Sequence, residues 1–123
     1  MELLIELKKC PNLLLKFSVF LIKKYSKVDF DWENGEIWVE EDIKQKYHYK
    51  LSYYEFVELL TEFMDGQEFY LGIAKMSKNG WMYVITTGDI MLEIKTDFSS
   101  RQVAFEFGIC KCFELKEKQL EDK

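Results

Sequence analysis

The stretch whose reading decides the fold is VDFDWENGEIWVEEDI, residues Val28 to Ile43. Apolar and acidic residues alternate on both sides of Asn34-Gly35, which is the period of a strand and not of a helix. Asn-Gly readily takes the positive φ angles of a type I′ turn, so the spacing predicts a hairpin with a two-residue loop. That loop sets Glu33 opposite Glu36, Trp32 opposite Ile37, Asp31 opposite Trp38 and Phe30 opposite Val39. Side chains alternate faces along a strand. Val28, Phe30, Trp32, Ile37 and Val39 then form the core face. Asp29, Asp31, Glu33, Glu36, Trp38 and Glu40 form the outer one. A slip of one residue would exchange the two faces.

The same stretch is electrically unusual. It holds seven acids and no base, which leaves 15 acids against 17 bases in the rest of a chain of net charge −5. Glu33 opposite Glu36 is a like-charge pair, which destabilises a hairpin. Acids on an exposed strand do keep an edge soluble. They do not explain a tryptophan among them, and Trp is enriched at the anchoring points of interfaces. The expectation is a docking surface built from Asp29, Asp31, Glu33, Glu36, Trp38, Glu40 and Glu41, meeting a basic protein partner.

Working outward, Leu3, Leu4 and Leu7 fall at helical spacing in residues 2–9. Pro11 then starts a second helix that runs to about Tyr25. Leu13, Leu14, Leu15, Phe17, Val19, Phe20, Leu21 and Ile22 cover most of its circumference, which predicts a helix enclosed by other elements. Lys16, Lys23 and Lys27 mark a narrow wet stripe. Downstream of the hairpin, residues 46–51 alternate as a third strand, with Tyr47, Tyr49 and Leu51 on one side and Lys46, His48 and Lys50 on the other. Ser52 and Glu55 make a capping box for a helix over 53–64, buried through Tyr53, Phe56, Val57, Leu60, Phe63 and Met64. Gly66 is available to end it in the left-handed conformation.

The rest reads as a meander. Strands are expected over 68–76, 81–86 and 90–96, with turns at Asn79-Gly80 and Thr87-Gly88-Asp89. After a loop over 97–100, the alternation of Val103, Phe105, Phe107 and Ile109 predicts a last strand over 102–112. The fold class is therefore α+β. An antiparallel sheet of about six to seven strands, with a meander in its C-terminal half, packs against two N-terminal helices and one middle helix. Residues 1–123 form a single domain, with 114–123 as a charged tail or short helix. This helices-first order, followed by a sheet-dominated half, is similar to that of the cone-shaped nuclear-transport-factor-2-like folds. The resemblance is one of element order and implies a curved sheet that can enclose a small-molecule pocket. Tyr70, Trp81, Tyr83 and Met91 are its candidate lining residues.

Composition narrows the function classes. Net charge −5 argues against direct binding of nucleic acid, which needs basic surface, and against anionic membranes. Leu13–Ile22 follows Lys8-Lys9 but is broken by Lys16 and is too short to span a bilayer. It also lacks small cleavage-site residues, so a cytoplasmic location is expected. Three cysteines, Cys10, Cys110 and Cys112, do not make a secreted disulfide framework. On a strand Cys110 and Cys112 would face the same way, two ligands where a structural zinc needs four. His48 is the single histidine and reads as a surface group between two lysines. Glu55, Glu58 and Glu62 share a helical face that reads as solvated. No cofactor, metal or catalytic residue is expected. The leading reading is a non-enzymatic protein-binding module. Its sharpest form is an inhibitor that imitates nucleic acid toward a nuclease or nucleic-acid-binding complex, as a toxin-immunity protein or a phage-encoded anti-defence or anti-nuclease protein. The alternatives are the small-molecule or catalytic pocket and a subunit of a larger assembly that uses an exposed sheet edge.

Overall fold

Pro11 lacks a backbone N–H and sits where that lack is harmless, in the first turn of a helix. It separates α1 (Leu3–Lys8) from α2 (Pro11–Lys24). The computed structural model describes residues 2–42, 46–76 and 80–122. Ile43, at the end of the expected hairpin, and Asn79, in the second expected turn, lie outside the described residues. The chain divides into two compact units, Glu2–Phe63 and Met64–Lys123.

In the first unit α1 buries Leu3, Leu4 and Leu7. α2 buries Leu13, Phe17 and Leu21, spaced four apart on one face. Its enclosure is not as expected. Leu15 is 66% exposed and Ile22 62%, with Val19 also open. A high apolar content did not identify the covered face, whereas the four-residue spacing does.

Three strands follow, β1 (Lys27–Asp31), β2 (Glu36–Asp42) and β3 (Lys46–Lys50), in an antiparallel sheet of order β1-β2-β3. The hairpin loop differs from the expectation. It spans residues 32–35, and the pairs are Val28↔Val39, Asp29↔Trp38, Phe30↔Ile37 and Asp31↔Glu36. A type I′ turn needs two positive φ angles, and only Gly35 has one, at 65°. Asp31 supplies the reason. Its carboxylate accepts from the Asn34 N–H at 3.2 Å and from Asn34 Nδ2 at 2.8 Å, which holds a wider loop. The pairing moves by an even step, so each side chain keeps its face although it changes partner. Trp32 and Glu33 leave the strands for the loop. The Trp32 ring stacks on Phe30 at 5.1 Å, and the Lys8 ammonium lies 4.9 Å over it.

α3 (Tyr53–Gly66) begins with the expected capping box. The Glu55 N–H donates to Ser52 Oγ, and the Ser52 N–H donates to Glu55 Oε1, both at 3.1 Å. α3 meets α2 through aromatic edges, with Phe17 centred 5.2 Å from Phe63 and 6.1 Å from Phe56. The helix does not end through a left-handed Gly66. Glu68 takes that conformation, at φ 64°, after the Phe69 N–H has reached back to the Met64 carbonyl.

In the second unit β4 (Tyr70–Lys75), β5 (Trp81–Thr87) and β6 (Ile90–Phe98) form an antiparallel meander of order β4-β5-β6. Gly88, at φ 59°, makes the tight β5–β6 turn. The described strands thus form two three-stranded sheets, not one sheet of six to seven strands. Each meander pairs only with its own chain neighbours, and α3 lies between the two in sequence. The α+β class stands.

The largest correction is α4 (Arg101–Glu121). The expected strand over 102–112 is helical, and the helix runs through the expected tail. Ser100 caps it by accepting from the Val103 N–H at 3.1 Å. Its buried positions include Ala104, Gly108 and Cys112, then Ile109, Phe113 and Glu117, two helical rows of four-residue spacing. α4 packs on β4 and β5. It comes so close that a Cβ on Gly108 would stand 2.7 Å from Leu71 Cδ1 and 3.1 Å from Tyr83 Cγ. The alternation over 103–109 is real but incidental, because the small residues at every fourth position let the helix lie on the sheet.

Candidate partner-binding face

The outer face of the first sheet carries most of the expected docking residues. Register places Lys27, Asp29 and Asp31 on β1, Glu36, Trp38 and Glu40 on β2, and His48 and Lys50 on β3. Trp38 is the middle of the row, between Asp29 and Lys50. It is half-buried, with its ring 5.2 Å from that of His48. It is therefore not the exposed tryptophan among carboxylates that the hairpin alone implied.

The charges on this face are graded across the sheet. Lys50 Nζ lies 3.0 Å from Glu36, and Lys27 Nζ lies 3.7 Å from Asp29. Register also sets His48 opposite Glu40. So Lys50 of the third strand and Lys27 bring compensating bases that the hairpin lacks. Exposed pairs of this kind contribute about 0–1 kcal/mol, so they orient the face more than they stabilise it. Asp31 is held below its usual range, first by the Asn34 side chain and then by the Asn34 N–H. Among the described residues Glu33 and Glu40 have no ion-pair partner. Asp29, Asp31, Glu36 and Glu40 thus share the outer face of β1 and β2, and Glu33 lies in the loop that joins the two strands.

Glu41 is on the other side. It shares a face with Ile37 and Val39, and accepts the Tyr49 hydroxyl at 3.0 Å. Burial, then the Glu41 bond, pushes the Tyr49 phenol well above its ordinary value. Burial raises the Tyr25 phenol next to it as well. Glu41 therefore closes a tyrosine cluster beneath the sheet, separate from the six other candidates. The strand alternation carried the signal, since Glu40 and Glu41 are adjacent.

The remaining candidates separate. Tyr83 is buried on the α4 side of its sheet, where its hydroxyl donates to Glu93 at 2.5 Å. Tyr70 and Met91 both pair with Thr86 on the opposite face and are exposed. These pocket candidates therefore do not line one space. Cys110 and Cys112 are two apart on α4, not on a strand, and so point to opposite sides of the helix. Cys112 is buried, which pushes its thiol up to about 12. Glu55 serves the α3 cap, and Glu62 binds Lys24 at 3.0 Å. Among the described residues no cluster of His, Cys, Asp and Glu is arranged to hold a metal. None of their helices is long and apolar enough to cross a membrane.

Comparison of the chain with protein-family models, with curated proteins and with solved structures gives no match.

Proposed function

We propose that the chain is a non-enzymatic binding module that docks on a basic protein partner through the outer face of the β1-β2-β3 sheet. One observation carries this reading. Asp29, Asp31, Glu36 and Glu40 share the outer face of the sheet and Glu33 lies in the loop that joins β1 to β2, and three of the five, Asp31, Glu33 and Glu40, have no ion-pair partner among the described residues. Carboxylates two residues apart on a strand stand about 7 Å from one another, so the face carries a row of charges on a stiff support. Such a row steers a basic partner and sets its orientation. Trp38, packed on His48, gives the face its aromatic centre.

The sharper form is an inhibitor. A nuclease or nucleic-acid-binding complex presents a basic cleft, and an acidic row can occupy it by imitating phosphates. That is the working principle of a toxin-immunity protein or of a phage-encoded anti-defence or anti-nuclease protein. The test is an affinity pull-down from the native host, followed by calorimetry on the recovered partner. Charge reversal at Asp29, Asp31 and Glu33 together, or Trp38→Ala, is expected to abolish binding while circular dichroism stays native. Unchanged affinity in the charge-reversed chain would sink the proposal.

A further inference from the structure

β6 is an edge strand. It pairs with β5 on one side, and among the described residues no strand pairs with the other. Its outer row of N–H and C=O groups is therefore open to a further strand. Ile90 is 64% exposed and Met91 59%, and Leu92 and Ile94 are also open. Three charges interrupt this apolar edge: Glu93 and Lys95, on either side of Ile94, and Asp97, where the backbone is left-handed at φ 71°. Glu93 and Lys95 fall in the run where the register to β5 is regular, Ile85↔Glu93, Val84↔Ile94 and Tyr83↔Lys95. Ile94 shares its face with Val84, Thr86, Met91, Tyr70 and Ala74, none of them charged.

We propose that β6 pairs antiparallel with β6 of a second copy of this chain, about a two-fold axis at Ile94, and joins two sheets into one of six strands. The argument is charge complementarity. In this register Glu93 faces Lys95 of the second copy, Lys95 faces its Glu93, and Ile94 faces Ile94. A slip of two residues one way sets Lys95 on Lys95, and the other way sets Glu93 on Glu93. Like charges directly opposite are unfavourable. A slip of one residue would set the uncharged face of one sheet beside the α4 side of the other. Parallel pairing in register repeats each charge on itself. Pairing about Thr96 would set Lys95 on Asp97, but Asp97 is left-handed at φ 71° and the β5 register shifts there, so the backbone leaves the extended path a ladder needs. The register about Ile94 alone satisfies charges, faces and backbone, and it is isologous, the commonest kind of closed contact. A lysine at an edge normally deters pairing. Here the glutamate two residues before it makes the deterrent selective for strands of other sequence.

Sedimentation velocity of the full chain over a concentration series tests this. The wild-type chain is expected to dimerise. Lys95→Glu and Glu93→Lys should each weaken self-association by about tenfold or more, because two attractive pairs become repulsive. An equimolar mixture of the two variants should recover a one-to-one dimer, since opposite charges face each other again. Glu93 also accepts from Tyr83, so the spectrum of Glu93→Lys must be checked by circular dichroism. Should that variant unfold, Lys95→Glu and Ile94→Lys decide the matter, since both leave the Tyr83–Glu93 bond in place and both should be monomeric. A wild-type chain that stays monomeric overturns the proposal. So does a dimer indifferent to the folded reversals, or a folded mixture that fails to associate.

Discussion

The two sheets share a three-stranded antiparallel meander and differ in the face they leave open. The outer face of β1-β2-β3 alternates strictly, with Asp29, Asp31, Glu36 and Glu40 turned away from Val28, Phe30, Ile37 and Val39. The β4-β5-β6 sheet carries apolar residues on both sides, with Glu93 and Lys95 on the α4 side only. Tyr83 and Ile85 are buried on one, and Val84, Met91 and Ile94 lie on the other without a charge. A clean alternation is the mark of a sheet covered once, and two apolar faces are the mark of a sheet with more to cover. The same topology therefore presents a charged surface in one unit and a sticky edge in the other.

The sharpest way to break this comparison is to empty each core. Phe17 and Phe113 are both fully buried. Phe17→Ala and Phe113→Ala are each expected to cost about 3–5 kcal/mol. Amide exchange should report the first loss in α2 and α3 and the second in α4 and β5. A loss well under 1 kcal/mol at either site would show that the corresponding core lies elsewhere.

A smaller effect is expected where α4 touches its sheet. Gly108→Val should destabilise by about 1–3 kcal/mol, because the added atoms meet Leu71 and Tyr83. Gly35→Ala in the hairpin should cost about 1–2 kcal/mol for a different reason, the left-handed backbone at φ 65°. Denaturant midpoints measure the two costs, and at position 35 the added Cβ also displaces the Glu2 carboxylate, a flexible end that can swing aside. Equal tolerance of Val and Ala at position 108 would contradict the close approach of helix and sheet.

The last effects lie in the pH dependence, and they have opposite signs. Asp31 sits below its ordinary 3.8 in the folded chain. Its contribution is present above that value and is lost as pH falls through the lowered one. Cys112 is raised from 9.0 to about 12 by burial. Its contribution is complete below 9.0 and is lost as pH rises toward about 12. Melting temperature against pH should show the acid limb flatten in Asn34→Ala, and the alkaline limb flatten in Cys112→Ala. Limbs that keep their wild-type slopes in these variants would remove both groups from the account.

Much of this was legible in advance, and the reasons are local. Pro11 can stand only in the first turn of its helix, and Ser52 with Glu55 writes out a cap in four residues. The two faces of the hairpin were legible because the side-chain period is two. The register was not. Asp31 binds Asn34 and widens the loop, a choice made by one side chain and not by the Asn-Gly pair. The shared face of most partner-binding candidates was legible for the same reason as the two faces, and Glu41 falls on the opposite face because strand neighbours alternate. α4 was missed because Val103, Phe105, Phe107 and Ile109 alternate as a strand would. The competing signals were the Ser100 cap and the Ala104, Gly108, Cys112 spacing, both shorter and quieter than four apolar residues.

By itself the sequence determined the features that a few neighbouring residues can encode: the starts of α2 and α3, the turn at Gly88, the α+β class and the acidic character of residues 28–43. These follow from backbone dihedrals and hydrogen bonds closed within a turn or two. Only the tertiary structure decided that Lys50 meets Glu36, that His48 packs on Trp38, that the strands form two sheets, and that residues 101–121 are a helix. Cross-strand neighbours are set by pairing between distant segments. An ambiguous apolar run becomes helix or strand according to the surface it can cover, and neither is written in the run itself.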